Sequence, residues 1–211
     1  MDSTYYIIVT FTTEVSFIKI MTKRCTWLGE DPLYIRYHDR EWGIPIHSDR
    51  KLFEFLILEG AQAGLSWITI LKKRPAYRKA FDNFDFNKVA RYKERKIKQL
   101  LNNPGIIRNK LKIRSAISNA KAFIEVRNEF GTFNKYIWQF VDGKPIQNCF
   151  KDMKDIPATT ELSDQISKDL KKRGFNFVGS TIVYAHMQAT GMVNDHTMDC
   201  FCYGEINRYD D

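Results

Sequence analysis

The chain has 211 residues, 44% of them hydrophobic, enough to close one substantial core, or two small lobes sharing a cleft, without disulfides. Its 33 Lys and Arg against 25 Asp and Glu give a net charge of +8, which suits a polyanionic partner such as nucleic acid and equally fits a plain basic surface. No apolar run reaches the roughly 18 residues of a membrane span, and the IIVTF patch near the start lacks the basic lead and small-residue cleavage site of a signal peptide. A cytoplasmic protein is therefore expected, with Cys25, Cys149, Cys200 and Cys202 reduced and more suited to metal than to disulfides.

The first twenty residues contain TYYIIVTFTTEV, a β-prone stretch. From about residue 48 onward, apolar residues recur at three- and four-residue spacing between Gly, Pro, Asn and Asp breaks, which predicts an all-α fold. Ser48 and Asp49 are placed to cap a helix that buries Leu52, Phe53, Leu56 and Ile57, runs towards Glu59 and stops before Gly64. Ser66 starts the next helix. Asp85 opens a helical region through Leu100 and Leu101, Pro104-Gly105 makes a turn, and Ile107 to about Phe130 forms a long helix closed by Gly131. Shorter helices follow at Tyr136 to Val141, Ser163 to Lys172 before Gly174, and Ser180 to Thr190 before Gly191.

Three constellations carry chemistry. His196 and Cys200, four apart, share one face of a helix or tight turn and make half a metal site. Cys25 and His38 can complete it as one Cys2His2 zinc joining the two chain ends, with Cys202 a rival ligand and ordinary buried thiols the plain alternative. Second, Trp27, Tyr37, Trp42 and Trp67 gather around the first helices, where core packing competes with a binding role. Glu59 tilts that balance. It lies in the apolar stretch LFEFLILEG, where a buried carboxylate needs a partner, either a nearby Lys or Arg or a flat cationic base held between rings. Third, NNPGIIRNKLKIRSAI has the layout of a helix-hairpin-helix, whose backbone amides can hold a DNA phosphate without reading sequence; Arg108, Lys110, Lys112 and Arg114 add charge, with a solvated basic face the alternative.

With these residues assembled, the sequence resembles the bacterial 3-methyladenine DNA glycosylase I family from about Arg24 to Tyr203. The resemblance rests on RCTW at 24–27, DPLYIRYHDREWG at 31–43, LEGAQAGLSWITILKKR at 58–74, GIIRNKLKI at 105–113, KKRGFNFVGSTI at 171–182 and GMVNDH at 191–196 followed by Cys200. It implies a helix-hairpin-helix glycosylase domain over 23–205 with a zinc-tethered lobe built from both chain ends, an N-terminal extension at 1–22 and a tail at 206–211. Met21 resembles the usual family start. Cys25, His38, His196 and Cys200 match the family's structural zinc ligands. Glu59, Tyr37 and Trp67 match its base-pocket residues, Glu59 in the catalytic role, with Trp27 and Trp42 beside them. Gly64 and Leu65 fall in its duplex-entering loop, and Gly105, Arg108 and Lys110 in its DNA-binding hairpin.

The implied activity is monofunctional release of 3-methyladenine from alkylated double-stranded DNA by a monomer, with 3-methylguanine or 7-methylguanine as alternative lesions and a non-catalytic damage binder as the rival class. Ser115 through Val126 contains no Asp, so no dedicated general base is evident.

Overall fold

The computed structural model describes the backbone of residues 6–11 and 14–19 and the whole of residues 22–205. The tail expected over 206–211, and Met21, lie outside the described residues. The β-prone leader forms strands Tyr6–Phe11 (β1) and Glu14–Lys19 (β2), paired antiparallel from Tyr6↔Lys19 to Phe11↔Glu14.

The described residues are otherwise mostly helical, and helices begin earlier than expected. Helix α1 spans Pro32–Arg40, with the Asp31 carboxylate accepting the Leu33 amide and Pro32 in the first turn. Asp-Pro is a sound start signal, but one turn of apolar periodicity was too little to reveal it. Helix α2 (Asp49–Gln62) forms the core of the molecule, and every residue from Leu52 to Ala61 is buried. Such a helix must be covered all round. Helices α3 (Trp67–Ala80), α6 (Lys110–Phe130), α7 (Phe133–Trp138) and α9 (Ser180–Ala189) do so.

Several boundaries depart from expectation for local reasons. Ser48 holds the cap position of α2 but makes no side-chain cap bond. The Asp49 carboxylate turns away and instead accepts the amides of Phe133 and Asn134 and Arg127 Nε, so it caps α7, where buried amides need it more. The region after Asp85 breaks in two, α4 (Phe86–Val89) and α5 (Glu94–Leu101). The long helix begins at Lys110 rather than Ile107, because Asn109 caps it by accepting the Leu111 and Lys112 amides. Thr160 does the same for α8 (Glu161–Lys172). Near the C-terminus, Ile146–Gln147 (β3) pairs in parallel with Val193–Asn194 (β4). Gly191 follows α9 at φ +72°, and a Cβ there would meet the Ile44 carbonyl carbon at 2.4 Å, so only glycine lets the two segments close.

Candidate functional site: an aromatic cavity backed by a Cys-His cluster

Helix α1 places Tyr37 and His38 side by side, about 100° apart around its axis, and both are buried. They face different sites. Tyr37 lines a cavity of about 220 Å³ with Trp27, Trp42, Glu59 and Trp67, ample for one flat bicyclic ring. All five sequence-predicted pocket residues therefore converge. Trp27 meets Trp42 edge-on at 5.1 Å, and Tyr37 lies 5.6 Å from Trp67. Phe55 stacks behind Trp67 at 6.3 Å, fixing that wall from the core side. The indole nitrogens of Trp27 and Trp67 are buried with no hydrogen-bond partner among the described residues, so the walls hold donor capacity in reserve.

Glu59 is 3% exposed, and its carboxyl makes no hydrogen bond or ion pair among the described residues. Burial pushes its pKa up to about 8, with the Arg74 charge only partly opposing. The plain alternative was a salt bridge to a neighbouring base. Arg74 is the base in reach, yet its Nε donates to Glu54 at 2.7 Å and its Nη1 to Glu41 at 2.5 Å, and Arg78 Nε also donates to Glu54. Of the two buried acids in LFEFLILEG, Glu54 is thus satisfied by protein and Glu59 is not.

Behind the Trp42 wall lies the second cluster. Cys25, His38, His196 and Cys200 are all buried, and their ligand atoms lie within 4.8 Å of one another. Cys25 and Cys200 Sγ are each 3.5 Å from His196 Nδ1, and Cys200 Sγ is 3.4 Å from His38 Nε2. A tetrahedral ion with ordinary zinc–sulfur and zinc–nitrogen bonds would separate S from N by about 3.6 Å, so the donor set fits one. The far ring nitrogens are engaged in the manner of metal ligands: His38 Nδ1 meets Asp39 Oδ1 at 2.8 Å and His196 Nε2 meets the Trp42 carbonyl at 3.2 Å. Asp39 is itself held by Arg24, whose Nε donates to both carboxylate oxygens and whose Nη2 donates to Oδ2. His196 and Cys200 share a tight turn, with the Cys200 amide on the Thr197 carbonyl, not a helix. Cys202, the rival ligand, lies 4.0 Å from His38 Nδ1, on the opposite edge of the ring from the cluster.

The remaining predicted residues lie in the loop between Gln62 and Trp67, two cavity residues, and at the hairpin. Gly64 (φ +77°) and Leu65, 41% exposed, occupy the four-residue connection from α2 to α3, flanked by Glu59 and Trp67. At the turn from α5 to α6, Gly105 is needed for approach rather than for φ, since a Cβ would meet Ala76 Cβ at 2.8 Å. Its amide donates to Asn103 Oδ1, and the Ile107 amide to the Tyr77 hydroxyl, so neither is free for a phosphate. That corrects the expectation for the Gly105 amide. The Arg108 and Lys110 amides have no protein acceptor among the described residues, and both side chains are exposed without a salt bridge. Arg114 is paired with Glu94 at 2.6 Å.

Sequence reasoning missed six cavity residues. Tyr34 and Gln62 lie one turn from Tyr37 and Glu59 and were recoverable by helical spacing; Ala185, Gln188 and Ala189 on α9 and Met153 gave no local signal. It also missed Asp39 and Asp195. The buried Asp195 accepts Tyr184 Oη, Asn148 Nδ2 and Gln188 Nε2, and so anchors a cavity side chain next to His196.

Residues 27–203 match the family model described as Methyladenine glycosylase. The chain belongs to that family. It is similar to DNA-3-methyladenine glycosylase 1 of Escherichia coli (strain K12), 49% identical over 181 residues that cover 86% of this chain and 97% of that protein. Its fold matches a crystal structure of a 3-methyladenine DNA glycosylase I with TM-score 0.83 and 51% identity, covering 85% of this chain and 99% of that one. A Staphylococcus aureus member, studied for the structural basis of 3-methyladenine recognition, aligns with TM-score 0.82 at 36% identity over 84% of this chain and 95% of its own. Among the described residues no helix is long and apolar enough to cross a membrane.

Proposed function

We propose that this protein excises 3-methyladenine from alkylated DNA in base excision repair, hydrolysing the N-glycosidic bond and leaving an abasic site. The observation that carries the reading is Glu59, a buried carboxyl without a protein partner inside an aromatic box, in a chain of the methyladenine glycosylase family. Alkylation at N3 puts a positive charge on the purine. Two unit charges about 4 Å apart attract by on the order of 4 kcal/mol near a protein surface. Ionising a carboxyl of pKa about 8 at neutral pH costs roughly 1.4 kcal/mol per pH unit, so a cationic base more than offsets the cost and a neutral one does not.

The lesion leaves the duplex readily because its pairing and stacking are already weak. When the C1′–N9 bond breaks, its electron pair moves onto the ring and cancels the charge. Water adds to the oxocarbenium-like sugar and loses a proton to solvent, consistent with the absence of an Asp on α6 between Ser115 and Val126, where the one acid, Glu125, is exposed. No lysine is assigned a Schiff-base role, so the strand stays intact and borohydride traps no adduct.

We assign a structural zinc to Cys25, His38, His196 and Cys200. Four protein ligands leave no position for water, and the ion would tie Trp27, Tyr37 and Trp42, each close in sequence or hydrogen-bonded to a ligand, into one wall. The glycosylase domain is taken as 23–205, acting as a monomer on double-stranded DNA, with Gly64 and Leu65 entering the gap left by the flipped base. Arg108 and Lys110 meet phosphates at the helix-hairpin-helix, which makes affinity fall steeply with salt.

The test is chromatography of bases released from methylated DNA by wild type, Glu59→Gln and Trp67→Ala. Release of 3-methyladenine by wild type, and its loss in both variants, is the expected result. No free base would point to a damage binder, and 7-methylguanine as the main product to another lesion.

A further inference from the structure

One lysine of the hairpin is tied to the protein's own backbone. Lys112, in the first turn of α6, donates from Nζ to the carbonyls of Ala61 at 2.8 Å and Ala63 at 2.6 Å. Those are among the carbonyls that the end of a helix leaves without partners, here the end of α2. An ammonium on them also meets the negative end of that helix dipole. The placement works against α6, whose positive end disfavours a cation, and desolvation lowers the Lys112 pKa. Between the two carbonyls and Trp67 lie only Gly64, Leu65 and Ser66.

We infer that Lys112 is a positioning residue that clamps the Gly64–Leu65 loop to the N-terminus of α6, so that the loop is set in register when the neighbouring hairpin holds DNA. The clamp joins three parts of the site. Glu59 lies just before the gripped segment, Trp67 just after it, and the free amides of Arg108 and Lys110 lie within one turn of Lys112. A loop fixed at its base delivers Leu65 to one place, whereas a loose one must search. Displacement of a substrate-positioning element by about 1 Å costs up to a hundredfold in rate. The inference rests on the reading that Leu65 enters the duplex.

The experiment compares Lys112→Met, Lys112→Arg, Leu65→Ala and the Lys112→Met/Leu65→Ala double variant. Single-turnover base release from a lesion duplex should fall about tenfold or more in Lys112→Met and recover in Lys112→Arg, whose fork can reach both carbonyls. Binding of free 3-methyladenine, followed by tryptophan fluorescence, should stay within about twofold, because the cavity is intact. The dependence of duplex affinity on salt should keep its wild-type slope, and the double variant should be no slower than Leu65→Ala. A slope shallower by about 0.9 would make Lys112 a phosphate contact and overturn the clamp. So would wild-type release by Lys112→Met, or equal loss of free-base binding. Leu65→Ala with wild-type release would instead defeat the duplex-entry reading.

Discussion

Glu59→Gln should make the protein more stable and less active, and the gain should depend on pH in a way only a buried, partnerless acid can produce. The carboxyl has an ordinary pKa of 4.5 and is pushed up to about 8 in the fold. At pH below 4.5 it is neutral in both the folded and unfolded chain and costs nothing. As pH rises through 4.5 the unfolded chain releases the proton while the folded one keeps it, so stability is lost progressively until about pH 8. At about 1.36 kcal/mol for each tenfold change in the ionisation constant, the penalty at pH 8 and above is at most about 5 kcal/mol. Glutamine occupies the same volume and carries no charge, so Glu59→Gln escapes the penalty. Urea unfolding of both proteins at intervals from pH 5 to pH 9 measures it, with the variant's advantage growing towards alkaline pH by one to several kcal/mol. A difference that stays flat with pH, or a variant less stable at pH 8, would mean that Glu59 already has a partner in the fold, and the electrostatic selection of a cationic base would lose its basis. Loss of base release in the same variant would show stability and activity set against each other at one residue.

Removing the base from the satisfied acid should do the opposite. Arg74→Met leaves Glu54 buried with only Arg78 beside it and should lower stability by about 3–5 kcal/mol in urea, well beyond what a lost surface ion pair costs. Asp39→Asn weakens the orientation of His38 and should reduce zinc affinity roughly 10–100-fold, measured by competition with a chromogenic chelator; equal affinity in both proteins would refute the orienting role, and a wild type that withholds no zinc from the chelator would refute the site. His186 is buried with both ring nitrogens unpartnered among the described residues, and burial lowers its pKa to about 4. The unfolded chain then takes up a proton below about pH 6.5 that the folded chain refuses, so stability falls between pH 6.5 and 4. His186→Leu, in the apolar setting of Ile166, Val183 and Met187, should be the more stable protein at pH 4, by up to about 3 kcal/mol relative to its difference at pH 7, and thermal melts at the two pH values decide it.

Much of the site is legible in the sequence. Glu59 stood out because a carboxylate in LFEFLILEG violates the pattern around it, and His196 with Cys200 stood out by spacing. Glu54, five residues earlier in the same stretch, carries no such signal; only the packing of α3 against α2 shows that Arg74 satisfies it. The converse held at the hairpin, where four basic residues looked alike in the sequence. The fold gives Arg114 to Glu94 and Lys112 to two carbonyls, and leaves Arg108 and Lys110 without a partner among the described residues.

What the sequence determined by itself was the helical content from about residue 48 onward, the helix ends at Gly131, Gly174 and Gly191, and the residue types able to hold a metal and a flat cation. These depend on interactions between residues a few positions apart, which the chain states directly. What only the tertiary structure decided was partnership: which acid is paired, which amide is already taken, which ring edge of His38 faces Cys200 and which faces Asp39. A polar group's energy inside a protein is set by the partner that replaces its water, and for Glu54, the Ile107 amide and His38 Nε2 that partner comes from 20, 30 and 162 positions away, in Arg74, Tyr77 and Cys200.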